Sequence, residues 1–302
     1  MKITMYKYQA KIVNFLISTD LEFSVEHFQI KLIQQEEYKV RDRNELSRHD
    51  KEDTLIYTTD IVVESVDKNS KDDIQIVIDN ICWLLSFISS STITKYSWTW
   101  FKDGKEKEST WRPLPGAMRR HSHPIFCPWD VNEIKGFITQ TYDRYKSVKS
   151  DRKLDVAIHY CVLAEREGTP QELRLIILVV LFENLKNTFG EQKYPRKDKS
   201  FDFQDTKGKR LSFNYLLTEM FSEVGMTEDE ISSLPSKIKG IVDLRNELLH
   251  TALTKMSPQE QHNQYLLLRD LIQEYLLRLL HYKGVYYPNY SERLMASPKY
   301  LL

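Results

Sequence analysis

The hydrophobic pattern of this chain mixes strand and helix periods up to about residue 130 and is helical afterwards, and that change limits the folds open to it. Before it, strand-like segments flank one helical stretch. Residues 28–34 alternate apolar with polar, and residues 54–66 are rich in Ile, Val, Thr and Tyr, as pleated strands are. Asp72 and Asp73 open an apolar helix over residues 74–88, with acidic groups at the positive end of its dipole. Residues 92–101 alternate again and carry Tyr96, Trp98 and Trp100. The turn Asp103-Gly104 returns the chain along residues 108–112, a hairpin signal. The expectation is a small α+β domain over residues 1–130, a helix on an antiparallel sheet.

Pro113, Pro115, Gly116, Pro124 and Pro128 interrupt these patterns, and helical spacing takes over afterwards. Residues 131–145 and 154–165 are amphipathic. Thr169-Pro170-Gln171-Glu172 has the form of a capping box with Pro at the first helical position, opening a helix that runs to residue 189. Its stretch 173–182 is apolar almost all round, as the central helix of a bundle is. Residues 211–223 follow, then a helix from Pro235 onward. Ser257-Pro258-Gln259-Glu260 is a second capping box, heading a last helix through residue 280. An all-α antiparallel bundle over residues 131–290 is expected, so that the whole chain is of the α+β class. Between Lys186 and Arg210 a polar insertion holds eight Lys/Arg against four Asp/Glu.

Lys+Arg and Asp+Glu both total 43, so bulk charge gives no attraction to nucleic acid and any such contact must be local. Cys82, Cys127 and Cys161 have no CxxC spacing and leave one over from any pair. With no secretory pattern at the start, a cytoplasmic location is expected. The longest apolar run, residues 175–182, is too short for a bilayer, so no membrane partner is expected.

Within the helix after Pro235, Ile238, Ile241, Val242, Leu248, Leu249 and Ala252 form an apolar stripe, and Arg245 projects from about its middle. A guanidinium cannot be neutralised, so that position demands a partner. Asn246 and His250 lie i, i+4 on one side of the same helix. A fixed cation, an amide and a group that titrates near neutral pH thus share one surface, a candidate for phosphodiester chemistry.

The sequence Arg245-Asn246-Glu247-Leu248-Leu249-His250, between a hydrophobic helix and a capped final one, resembles the HEPN family (higher eukaryotes and prokaryotes nucleotide-binding domain). The resemblance covers roughly residues 150–285. It implies a homodimeric, metal-independent endoribonuclease, with no cofactor, in which two motifs line one cleft and the RNA 2′-hydroxyl attacks the adjacent phosphorus. His250 would then be the general acid/base. Arg245 would bind the scissile phosphate, and Asn246 would orient the phosphate or the imidazole. Glu183, or its neighbour Asn184, ends the apolar helix where the family often places a polar residue facing the Arg/His pair. The resemblance also implies antiphage defence or toxin-type growth arrest, with an antitoxin or regulatory partner as one form of control.

The same residues admit plainer roles. Arg245 paired with Glu183 is a salt bridge holding two helices in register, as in a non-catalytic HEPN module for dimerisation or for nucleotide or partner binding. The basic excess of the insertion reads as a solvated loop. If it does contact RNA, Tyr194, Phe201 and Phe203 are the candidates to stack on bases. Arg43-Asn44 with His49 copies the motif without its apolar stripe, and His121, His123 and Cys127 lack a fourth zinc ligand at a recognisable spacing. Neither is taken as a site. The strand of Tyr96, Trp98 and Trp100 is read as a packed sheet face rather than a base-stacking platform.

Overall fold

The computed structural model describes residues 5–17, 19–35, 57–65, 71–111, 125–126, 130–166, 168–196, 202–232, 237–251, 254–286, 288 and 299–301. The side chains of residues 65, 237, 238, 249–251 and 299 lie outside that description. The chain forms two compact units, Met1–Lys146 with Glu165–Glu167, and Ser147–Ala164 with Gly168–Leu302.

The first unit is built on a six-stranded antiparallel sheet. Its strands are β1 (Tyr6–Val13), β2 (Leu21–Val25), β3 (Phe28–Gln34), β4 (Tyr57–Ser65), β5 (Lys95–Lys102) and β6 (Lys105–Trp111), in the order β2-β3-β4-β1-β5-β6. β1 lies between β4 and β5, with Tyr8 opposite Val63 on one side and Trp100 on the other. Its alternate residues Tyr8, Ala10 and Ile12 are fully buried, the period-2 pattern of a strand with one face on the core. Two tight turns close hairpins: Glu26-His27 joins β2 to β3, and the expected Asp103-Gly104 turn, with both residues at positive φ, joins β5 to β6. Helix α1 (Lys71–Ser89) covers the core face, and Lys95 of β5 reaches its Asp79 at 2.9 Å.

Helix α2 (Val131–Arg152) packs its first turns against α1, where Phe137 meets Phe87 and Tyr142 meets Asn80. Trp100 stacks on Tyr6, and Trp98 lies under the Lys95 ammonium. A register shift in β5 sets Tyr96 apart, edge-on to Trp111. These aromatics are engaged within the unit.

The second unit is helical: α3 (Leu154–Ala164), α4 (Gln171–Lys193), α5 (Phe213–Glu223), α6 (Glu228–Ser232), α7 (Lys237–Thr251) and α8 (Pro258–Leu279), with a short two-stranded sheet, β7 (Val285–Tyr286) and β8 (Lys299–Tyr300). α4 packs against α3, α5, α7 and α8. Its all-round apolar composition follows from that position, since every side has a neighbour. Phe182 of α4, Phe221 of α5 and Tyr275 of α8 meet edge-on at the centre.

The cap at Ser257 forms in full, with Ser257 Oγ accepting from the Glu260 N–H and the Glu260 carboxylate accepting from the Ser257 N–H. The box expected at Thr169 does not form. The helix starts one residue later than that box requires, so Pro170 is the N-cap and makes no side-chain cap bond. The Thr169 carbonyl instead accepts from Arg174 Nε at 3.1 Å.

The described residues of the polar insertion carry more regular structure than its composition implies. α4 runs to Lys193, and single bridges join Arg196 to Phe203 and Gln204 to Arg210. Phe203 is fully buried, its ring against Gly190 of α4. It is therefore not available to stack on a base. Tyr194 meets the rings of Phe189 and Tyr215, and Phe201 lies outside the described residues.

Candidate active site

α7 presents Ile241, Leu244 and Leu248 to the interior, positions separated by three and four. Arg245 follows Leu244 at the edge of that buried stripe rather than in its middle, and Asn246 is exposed. Arg245 keeps about a third of its side chain (32%) in contact with solvent, which an always-charged group requires.

Among the described residues the guanidinium has two hydrogen-bond partners, on two sides. Its Nε donates to Glu183 Oε1 at 2.6 Å, and one terminal nitrogen donates to Asn246 Oδ1 at 2.8 Å. Both are short, aligned bonds, and the first is a charge-assisted ion pair between α7 and α4. Asn246 turns its carbonyl oxygen back onto Arg245, which leaves its amide N–H₂ as the donor end on an exposed residue.

The other Glu183 oxygen, Oε2, accepts from Lys186 Nζ at 2.9 Å, one turn along α4. Lys186, within the helix expected to run to residue 189, was also counted among the charges of a solvated insertion. Its side chain is only 9% exposed, and Glu183 is its ion-pair partner. The aromatic ring of Phe213, first residue of α5, closes the cluster. Lys186 Nζ stands 4.8 Å from the ring centroid and the Arg245 guanidinium carbon 5.5 Å from it. Three elements therefore supply one site: α7 gives Arg245 and Asn246, α4 gives Glu183 and Lys186, and α5 gives Phe213.

Of the residues expected to act together, Arg245, Asn246 and Glu183 are in hydrogen-bond contact. Asn184, the alternative to Glu183, has its Oδ1 buried without a hydrogen-bond partner among the described residues. His250 belongs to α7, one helical turn beyond Asn246 and on its side of the helix, about 6 Å along the axis. Its imidazole lies outside the described residues. Glu247, the residue after Asn246, accepts from the Lys255 N–H at 2.8 Å. Two members of the cluster, Lys186 and Phe213, escape a reading of the motif alone, because neither is on the motif helix.

The second copy of the Arg-Asn pattern, at Arg43, and the His121, His123 and Cys127 trio lie outside the described residues. Among the described residues no group of three or more His, Cys, Asp or Glu side chains is arranged to hold a metal ion, and no helix is long and apolar enough to cross a membrane. No family model, curated protein or solved structure matches the chain.

Proposed function

We propose that the helical unit is a HEPN-like bundle acting as a homodimeric endoribonuclease that needs no metal or cofactor. The observation that carries this reading is the juxtaposition of Arg245 and Asn246, on the turn of α7 that leads to His250, with Glu183 of α4. A guanidinium held on one edge by a carboxylate, yet one-third exposed, is a pre-oriented donor for a phosphodiester oxygen.

In this reading the exposed edge of Arg245 binds the scissile phosphate and stabilises the charge that builds on its oxygens. The Asn246 amide donates to the same phosphate. His250, from one or both subunits, takes the proton of the attacking 2′-hydroxyl and returns a proton to the departing 5′-oxygen. Bond making and breaking then leave a 2′,3′-cyclic phosphate on one product and a 5′-hydroxyl on the other. Activity of this kind suits antiphage defence or toxin-type growth arrest in the cytoplasm, either free-standing or restrained by an antitoxin or other regulatory partner. The test is incubation of the purified chain with RNA in EDTA, with end-group analysis of the products. Cyclic-phosphate and 5′-hydroxyl ends support the reading, and 5′-phosphate ends or dependence on added metal contradict it.

A second reading rests on the same ion pair. Glu183 bridges α4 to α7 through Arg245 and is itself held by Lys186, an arrangement that suits a structural tie in a non-catalytic HEPN module for dimerisation or for nucleotide or partner binding. That reading predicts a folded dimer with no RNA cleavage to lose.

A further inference from the structure

We propose that Glu183, Lys186 and Phe213 set the strength with which Arg245 holds a phosphodiester, by stabilising two neighbouring cations while cancelling only one of their charges. The proposal rests on the ribonuclease reading for the identity of the anion. It adds positioning residues that the motif does not contain.

The charges decide the argument. Arg245 and Lys186 bring two positive charges to one carboxylate, Glu183, which divides its two oxygens between them at 2.6 and 2.9 Å. Asn246, which accepts from Arg245, is neutral. Among these described contacts, Arg245, Lys186, Glu183 and Asn246, the charges therefore sum to a surplus of one positive. Two like charges this close repel, and a second carboxylate would be the direct remedy. The protein uses the Phe213 ring, which both cations approach within 6 Å. The quadrupole of a ring face attracts a cation without neutralising it, so the surplus survives.

That surplus has one outlet. Lys186 is 9% exposed and Arg245 is 32% exposed, so an incoming anion meets Arg245. Lys186 acts through Glu183. While it occupies Oε2, the carboxylate cannot give its whole charge to Arg245, and the exposed edge of the guanidinium stays electropositive. A phosphodiester carries one negative charge and matches a surplus of one.

The test is equilibrium binding of a single-stranded DNA oligonucleotide, which lacks the 2′-hydroxyl and cannot be cut by this route, to the full chain at several salt concentrations. Glu183→Gln raises the surplus to two charges and is expected to bind about fivefold more tightly, with a steeper salt dependence. Lys186→Met keeps the stem but lets Glu183 neutralise Arg245. It is expected to bind about fivefold more weakly, with a shallower dependence, and Lys186→Arg to restore wild-type behaviour. A purely structural bridge would lower the melting temperature in both charge-removing variants without moving affinity in opposite directions. The proposal is overturned if the wild type does not bind, or if folded Lys186→Met binds as tightly as the wild type. It is overturned equally if Glu183→Gln weakens binding. Should Glu183→Gln fail to fold, the Lys186→Met and Lys186→Arg pair decides alone. Failure here is separate from failure of the nuclease reading. A chain that cuts RNA but binds DNA equally with and without the Lys186 charge loses only this inference. One that shows the charge pattern but never cuts RNA loses only the enzyme.

Discussion

Arg245 has two features that pull its interpretation in different directions, an ion pair that ties helices and an exposed edge that can meet a ligand. The energies separate them. A partly exposed ion pair contributes about 1 kcal/mol or less, and Arg245→Ala leaves Glu183 still paired with Lys186 rather than stranded. The expected loss is therefore a melting temperature lower by about 2–4 °C, with RNA cleavage abolished. A drop well beyond that range, in a protein that never cut RNA, is what the structural reading predicts. The motif residues were legible in the sequence because their relation is local, fixed by helical spacing over six positions. Lys186 and Phe213 were not. They come from other helices, and Lys186 was counted among the charges of an insertion although folding buries it on α4.

At the scale of elements, the excursion after α4 is anchored by a ring on a glycine. A Cβ added at Gly190 would stand 2.6 Å from Phe203 Cε2, closer than packing allows. Gly190→Ala must displace a fully buried ring and is expected to cost about 1–3 kcal/mol, read by chemical denaturation.

The cap of α8 makes a second element-scale prediction. Ser257→Ala removes its side-chain acceptor, at a cost of about 1 kcal/mol. The effect depends on pH in a defined direction. Hydrogen bonds from the Ser257 hydroxyl and backbone N–H hold the Glu260 carboxyl below its ordinary range. A depressed folded-state value stabilises the protein above the unfolded-state value and loses that contribution as pH falls through the folded one. The difference in melting temperature between wild type and Ser257→Ala should accordingly shrink on acidification below the usual carboxylate range.

Two similar cap signatures thus had different outcomes. The Ser257 box matched the helix start, whereas at Thr169 the start shifted by one residue and left Pro170 at the cap. Strands β1 and β2 alternate apolar with polar residues as β3 does but were not singled out, and it is pairing with β4 and β5 that makes β1 a central strand of the sheet.

For the whole molecule, the change of hydrophobic period separated a sheet-bearing part from a helical one, and the class of the fold was legible from it. The two compact units divide within α2, because Phe137 and Tyr142 in its first turns pack with α1, a long-range fit that local periodicity does not encode. Equal numbers of acidic and basic residues mean that nucleic-acid binding, if it occurs, is concentrated where charge is locally unbalanced, as it is around Arg245. The central claim is that this locality performs RNA cleavage with His250 as the proton-transfer group. The most direct measurement is the rate of RNA cleavage in EDTA by the wild type and by His250→Ala, with helicity and oligomeric state matched. The account predicts cutting by the wild type and a loss of about 100-fold or more in the variant. A wild type inactive in EDTA, or a His250→Ala protein that cuts at the wild-type rate, would contradict it.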